Sequence, residues 1–171
     1  MKKIAIRLSY FSLFISGLVL CPGGFMGDSW AEYLVTLTST NSLVVVDSDD
    51  PSDPLHTVAV TGLQTGETLV GIDFRPVDNG LYAVGDTSRL YTLNLNTGAA
   101  TQVGTGQFST LLTGSNFGID FNPVVDRLRI VGNDGQNLRV NPSTGEIAAT
   151  DTNLSYDAGD TNVGVTPSVV A

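Results

Sequence analysis

The sequence predicts an all-β fold, a β-propeller-like array of four-stranded repeats about 47 residues long, incomplete at about three units. Gly71-Ile-Asp-Phe-Arg-Pro76 returns 47 residues later as Gly118-Ile-Asp-Phe-Asn-Pro123. Over 71–98 against 118–145, 12 of 28 positions are identical without a gap. Each period also holds four short runs of β-branched and aromatic residues separated by turn signals. Nowhere do apolar residues recur at helical spacing over three turns.

The chain opens on Met1, Lys2, Lys3 and Arg7, followed by an apolar run of thirteen residues from Leu8 to Leu20. A basic start before a short apolar core is the pattern of an export leader, and the run falls short of the roughly 20 residues that span a bilayer. Ser29-Trp30-Ala31 places small residues at the two positions a signal peptidase reads, so residues 1–31 are expected to be a removed leader and 32–171 the repeat domain. An alternative makes Cys21 a lipid-bearing first residue, although Leu20 stands where such a signal needs a small residue. The expected location is secreted or periplasmic, with no transmembrane segment in the mature chain.

Cleavage at Ala31 would leave 140 residues, with five arginines against 16 acidic residues, a net charge of −11 and no cysteine. Such a surface repels nucleic acid and anionic lipid. Without disulfides, stability must come from a packed core, which a domain of this size can supply.

The first unit, about 32–66, is the divergent one. Leu34, Leu37 and Leu43 fall on Leu81, Val84 and Leu90 at the same offset, but the unit has no Gly-Ile-Asp-Phe of its own. In the second unit, about 67–113, the expected strands are Val70–Phe74, Leu81–Val84, Leu90–Leu95 and Ala99–Val103. The third, about 114–160, repeats them. In the partial unit 161–171, Asn162-Val-Gly-Val165 resembles Asn116-Phe-Gly-Ile119, the start of a further first strand or a strand that completes the first unit. Closed propellers carry four to eight blades. Three units therefore imply a truncated chain, an open array, or a homodimer in which two chains complete one six-bladed body.

Several residue groups invite a chemical reading. Asp73 and Asp120 hold equivalent positions, and carboxylates converging near a central axis could do acid–base work or bind a metal. A fold-based reading has each accept hydrogen bonds from its surroundings, and a residue repeated together with its whole motif favours it. Asp47, Asp49, Asp50 and Asp53 make the densest acidic run, a weak candidate for Ca²⁺, although Pro51 interrupts it and no distal Glu follows. Arg127, Arg129 and Arg139 are three of the five mature arginines. With Asp126 and Asp134 close by, they could form an anion-binding patch or pair with the abundant carboxylates. His56 is the only histidine, so Ser-His-Asp or Cys-His catalysis and a tetrahedral zinc site both lack their usual parts.

The strings Leu81-Tyr-Ala-Val-Gly85, Arg89-Leu-Tyr-Thr-Leu-Asn94, Phe117-Gly-Ile-Asp-Phe-Asn-Pro-Val-Val-Asp-Arg-Leu-Arg129 and Gly135-Gln-Asn-Leu-Arg-Val-Asn-Pro142 resemble a bacterial secreted family catalogued as domain of unknown function 4394. The resemblance covers nearly all of the mature chain. It implies a propeller-type β-repeat in usually longer chains, and no reaction, cofactor or catalytic residue. The functional expectation is a non-catalytic module that binds a ligand or protein partner through loops on one face. The alternative is a carboxylate- or calcium-dependent hydrolase or lyase acting on an extracellular polymer through Asp73 and Asp120.

Overall fold

The computed structural model describes residues 4–7, by their backbone, and residues 32–167. The rest of the expected leader, with Cys21 and the Ala31 cleavage point, lies outside the described residues, as do 168–171. Strands β1 (Ile4–Arg7), β2 (Tyr33–Leu37), β3 (Ser42–Asp47) and β4 (Pro54–Ala59) form one sheet in chain order. A second sheet holds β5 (Leu69–Phe74), β6 (Leu81–Gly85), β7 (Arg89–Leu93) and β8 (Ala100–Val103). The third holds β9 (Phe117–Asn122), β10 (Arg127–Gly132), β11 (Asn137–Val140) and β12 (Ile147–Thr150). Every pairing is antiparallel. Four-stranded sheets are thus present three times, the first of them completed by residues 4–7, which lie outside the unit expected at 32–66 and inside the expected leader. The innermost strands lie side by side, β1 against β5 and β5 against β9.

One position per unit forces the hairpin between the second and third strands. Asn41, Ser88 and Gly135 are spaced by 47 residues and all have positive φ, at 54°, 65° and 89°. Asparagine and glycine suit this left-handed turn; serine tolerates it at a cost. The backbone carbonyl of each then receives the chain as it leaves the fourth strand: Val60 N–H to Asn41 O at 2.7 Å, Phe108 to Ser88 at 2.7 Å, Leu154 to Gly135 at 3.0 Å. Nine residues after Val60 and Phe108 the next innermost strand begins, at Leu69 and Phe117. Side chains reinforce the link. Asn41 accepts from Leu69 N–H and donates to the Glu67 carbonyl, both at 2.9 Å, and Ser88 Oγ accepts from Leu112 N–H at 2.9 Å.

The middle sheet is covered on both faces, which explains why Leu81-Tyr-Ala-Val-Gly85 shows no apolar–polar alternation: all five residues are buried. Leu81, Ala83, Tyr91 and Leu93 pack with Val35, Leu37 and Leu43 of the first sheet. From the opposite face, Tyr82, Val84 and Leu90 pack with Phe117, Phe121, Leu128 and Ile130 of the third. In β10 alternation returns, because Leu128 and Ile130 turn inward while Arg127 and Arg129 turn away from the second sheet.

Backbone docks directly on backbone at the sheet junctions. Gly98 and Gly145, 47 residues apart, have φ of 70° and 71°. A Cβ there would lie 2.0 Å from the Ala59 carbonyl oxygen and 2.3 Å from that of Val103. The Thr-Gly pairs that mark the repeat in sequence are therefore where one unit seats on the preceding one. Thr61 and Ala99 complete the first of these junctions as a parallel bridge.

Candidate functional site

The three sheets enclose a cavity of about 340 Å³ at the end where the innermost strands begin. Leu37, Leu69, Val70 and Phe117 give it apolar walls, and Thr38, Ser39, Thr68 and Ser115 supply hydroxyls. Among the described residues, Asp86 is the one charged side chain in the lining. It is held by a reciprocal pair of bonds, with Thr68 N–H donating to Asp86 Oδ1 at 3.1 Å and Asp86 N–H to the Thr68 carbonyl at 2.8 Å. Ser39, Asp86 and Asn133 fall at one position of the 47-residue period. Asn133 plays the same part in the third sheet, accepting from Ser115 N–H at 2.9 Å. The sequence reading singled out none of these residues. The repeat contained the signal, because Ser39 and Asp86 share a turn position and must emerge at the same end of neighbouring sheets.

Asp73 sits on β5 facing the neighbouring innermost strand. Its Oδ1 accepts from Phe74 N–H at 2.8 Å and its Oδ2 from Phe121 N–H on β9 at 2.7 Å. Burial raises its pKa above the ordinary carboxylate value, the two backbone donors work in the opposite direction, and the nearby Asp120 charge adds to the rise. The donor it binds is a neighbouring strand's backbone, so Asp73 ties the two sheets together. Asp120 is exposed on β9.

The arginines separate. Arg139 makes a two-pronged pair with Asp151, at 2.9 and 2.7 Å, and this holds the Asp151 carboxyl below its usual range. Arg129 bonds Asn137 Oδ1 at 2.8 Å and lies 3.4 Å from Asp151. Arg127 donates to the Asp126 carbonyl at 2.7 Å. Asp126 and Asp134 serve elsewhere: Thr113 holds Asp134, and Asp126 pairs with Arg75 of the second sheet. In the acidic run, Asp47 caps Asp49 N–H and Asp50 accepts from both donors of Ser52. Among the described residues no three His, Cys, Asp or Glu side chains gather as a metal-binding group.

Two polar clusters were not legible in the sequence. Arg75 places Nε and Nη2 on Asp126 at 2.8 and 2.5 Å and Nη1 on Asp78 at 2.8 Å, joining the second and third sheets beside the Tyr82 ring. Glu67 is only 4% exposed and accepts from Thr87, Tyr91 and Gln64 N–H. Burial, then the bond to Glu67, pushes the Tyr91 hydroxyl up to about 12.

Among solved structures, the chain is similar to BamB from Moraxella catarrhalis at 14% identity and TM-score 0.41, covering 78% of this chain and 38% of that one. It is also similar to BBS1N, solved in complex with ARL6DN, at 14% identity and TM-score 0.43, covering 72% of this chain and 40% of that one. The chain thus spans about two fifths of the length of these structures. No curated protein sequence matches it. The family model described as Domain of unknown function (DUF4394) matches residues 42–171, and the chain belongs to that family.

Proposed function

We propose that the chain is an exported, non-catalytic β-repeat module that binds a basic segment of a partner protein at the cavity beside Asp86. One observation carries the reading: among the described residues, a single fixed carboxylate lines a cavity whose other side chains are apolar or hydroxyl-bearing. A lysine or arginine side chain has the matching chemistry, a methylene stem for Leu69, Val70 and Phe117 and a cationic head for Asp86. The net charge of −9 for the full sequence, −11 for residues 32–171, favours the encounter with a basic partner and repels acidic ones. The non-catalytic character is supported by Asp73, which spends both oxygens on backbone donors. Calorimetric titration tests the reading with two short peptides, one carrying a central lysine and one the same lysine acetylated. The lysine peptide should bind, more weakly with added salt and in Asp86→Asn. Equal binding of the acetylated peptide would refute the assignment.

A further inference from the structure

We infer that, once the leader is removed, residues Gly164–Pro167 of a second copy become the innermost strand of the first sheet. Each chain thereby completes the first sheet of the other. The inference rests on the export reading proposed above, because β1 belongs to the expected leader.

The place in question is defined by register. β1 pairs Ile4 with Leu37, Ala5 with Thr36, Ile6 with Val35 and Arg7 with Leu34. At the same places in the other sheets, β9 pairs Gly118 with Val131, Ile119 with Ile130, Asp120 with Arg129 and Phe121 with Leu128, and β5 aligns Gly71-Ile-Asp-Phe74 likewise. Ile4-Ala-Ile-Arg7 therefore occupies the Gly-Ile-Asp-Phe place without its pattern, and Arg7 stands where the other units have phenylalanine. Cleavage after Ala31 removes this strand. It leaves β2 with an open backbone edge next to the buried Val35 and Leu37. Such an edge pairs readily with a strand from another chain.

The occupant is defined by spacing. Val60 and Phe108 bond the hairpin turns of the first and second sheets, and the next innermost strand starts nine residues later in each case. Leu154 makes the same bond to Gly135 in the third sheet, and nine residues on stands Val163. Val163 thus falls on Phe117, and Gly164-Val-Thr-Pro167 falls on Gly118-Ile-Asp-Phe121. The glycine is retained and a β-branched residue takes the isoleucine place. Pro167 falls where no ladder donor is needed, since Phe121 N–H goes to Asp73 and not to β10. In this structure the segment pairs with no sheet. It forms turns, Val163 N–H to Asp160 and Val165 N–H to Asn162, with Val163 55% and Val165 60% exposed.

Each linker carries the backbone one sheet onward, from first to second and from second to third. The segment after Leu154 stays beside the third sheet, with the Thr166 methyl 3.3 Å from where a Cβ on Gly135 would stand. The first sheet of a second copy fits, and the exchange is reciprocal about a two-fold axis.

The test expresses the complete gene with its own leader and recovers the exported protein. Intact mass fixes the processing site and light scattering fixes the oligomer. The cleaved chain should be a dimer, and Val165→Asp should shift it to monomer. In T36C/V165C, where the two cysteines would face each other across the new strand pair, a covalent dimer should form that neither single variant gives. A cleaved monomer, or a disulfide within one chain, overturns the inference and leaves the export reading standing. A mass that retains residues 1–31 refutes the export reading and the inference together.

Discussion

Replacing Arg75 by methionine removes a brace that ties the second sheet to the third without disturbing the packing of its stem. The guanidinium is 13% exposed and Asp126 30%, and the two-pronged pair has N···O distances of 2.8 and 2.5 Å. Charge-assisted hydrogen bonds contribute about 1.5–3 kcal/mol each where they are well buried. The solvent access of Asp126 reduces this, so Arg75→Met should cost about 2 kcal/mol and Asp126→Asn, which keeps a side chain suited to its φ of 48°, about 1 kcal/mol. If the pair acts as one brace, the double variant should lose about 1 kcal/mol less than the two single losses added together. In a domain of this size 1 kcal/mol moves the melting temperature by about 3 °C. Arg75 holds the Asp126 carboxyl below its ordinary pKa. Its contribution is therefore complete above the unfolded value near 3.9 and is lost as pH falls through the lower folded value. Urea unfolding of the four proteins at pH 7 and pH 3 measures both effects. Strictly additive losses at pH 7, or a coupling that persists unchanged in strong acid, would refute the reasoning.

Other predictions follow the same geometry. Asn41→Ala should cost about 2–3 kcal/mol, from two lost hydrogen bonds and a left-handed turn that alanine resists, and Asn41→Gly about 1 kcal/mol less; urea midpoints compare them. Gly98→Ala and Gly145→Ala should each lower the melting temperature more than an alanine at the exposed Gly106, because their Cβ atoms meet a neighbouring unit's backbone. Asp73→Ala should loosen the contact between β5 and β9, read as faster hydrogen exchange at Phe121 than at Leu128. The raised pKa of Asp73 means that the wild-type chain gains relative stability as its carboxyl protonates on acidification. Asp73→Asn should lack that component, which the difference between their pH–stability curves near the carboxylate range isolates.

The repeat made much of the architecture legible. Gly-Ile-Asp-Phe announced β5 and β9, and the 47-residue offset also located the weaker first unit, whose Asn41 turn obeys the same period. The sheet interfaces were harder to read, since they join residues distant in sequence. Arg75 meets Asp126 across 51 positions, and nothing local to either marks the pair. The arginines of the third unit were visible as a group, but their partners were not, because Asp151 reaches Arg139 from β12's exit while Asp126 turns to another sheet. β1 escaped for a different reason: its residues read as an export leader, and although they take the register of Gly-Ile-Asp-Phe they do not carry its residue pattern. The cavity at Asp86 was hidden because threonine, serine and a turn aspartate carry no chemical signature until three strand ends bring them together.

The most direct test of the binding account is amide chemical-shift mapping of the protein during titration with the lysine-containing peptide. The account predicts shifts concentrated at Thr38, Thr68, Asp86 and Ser115, reduced by salt and abolished in Asp86→Asn while the folded spectrum is kept. Shifts confined to the outer face of the third sheet around Arg129 and Arg139, or none at saturating peptide, would contradict it.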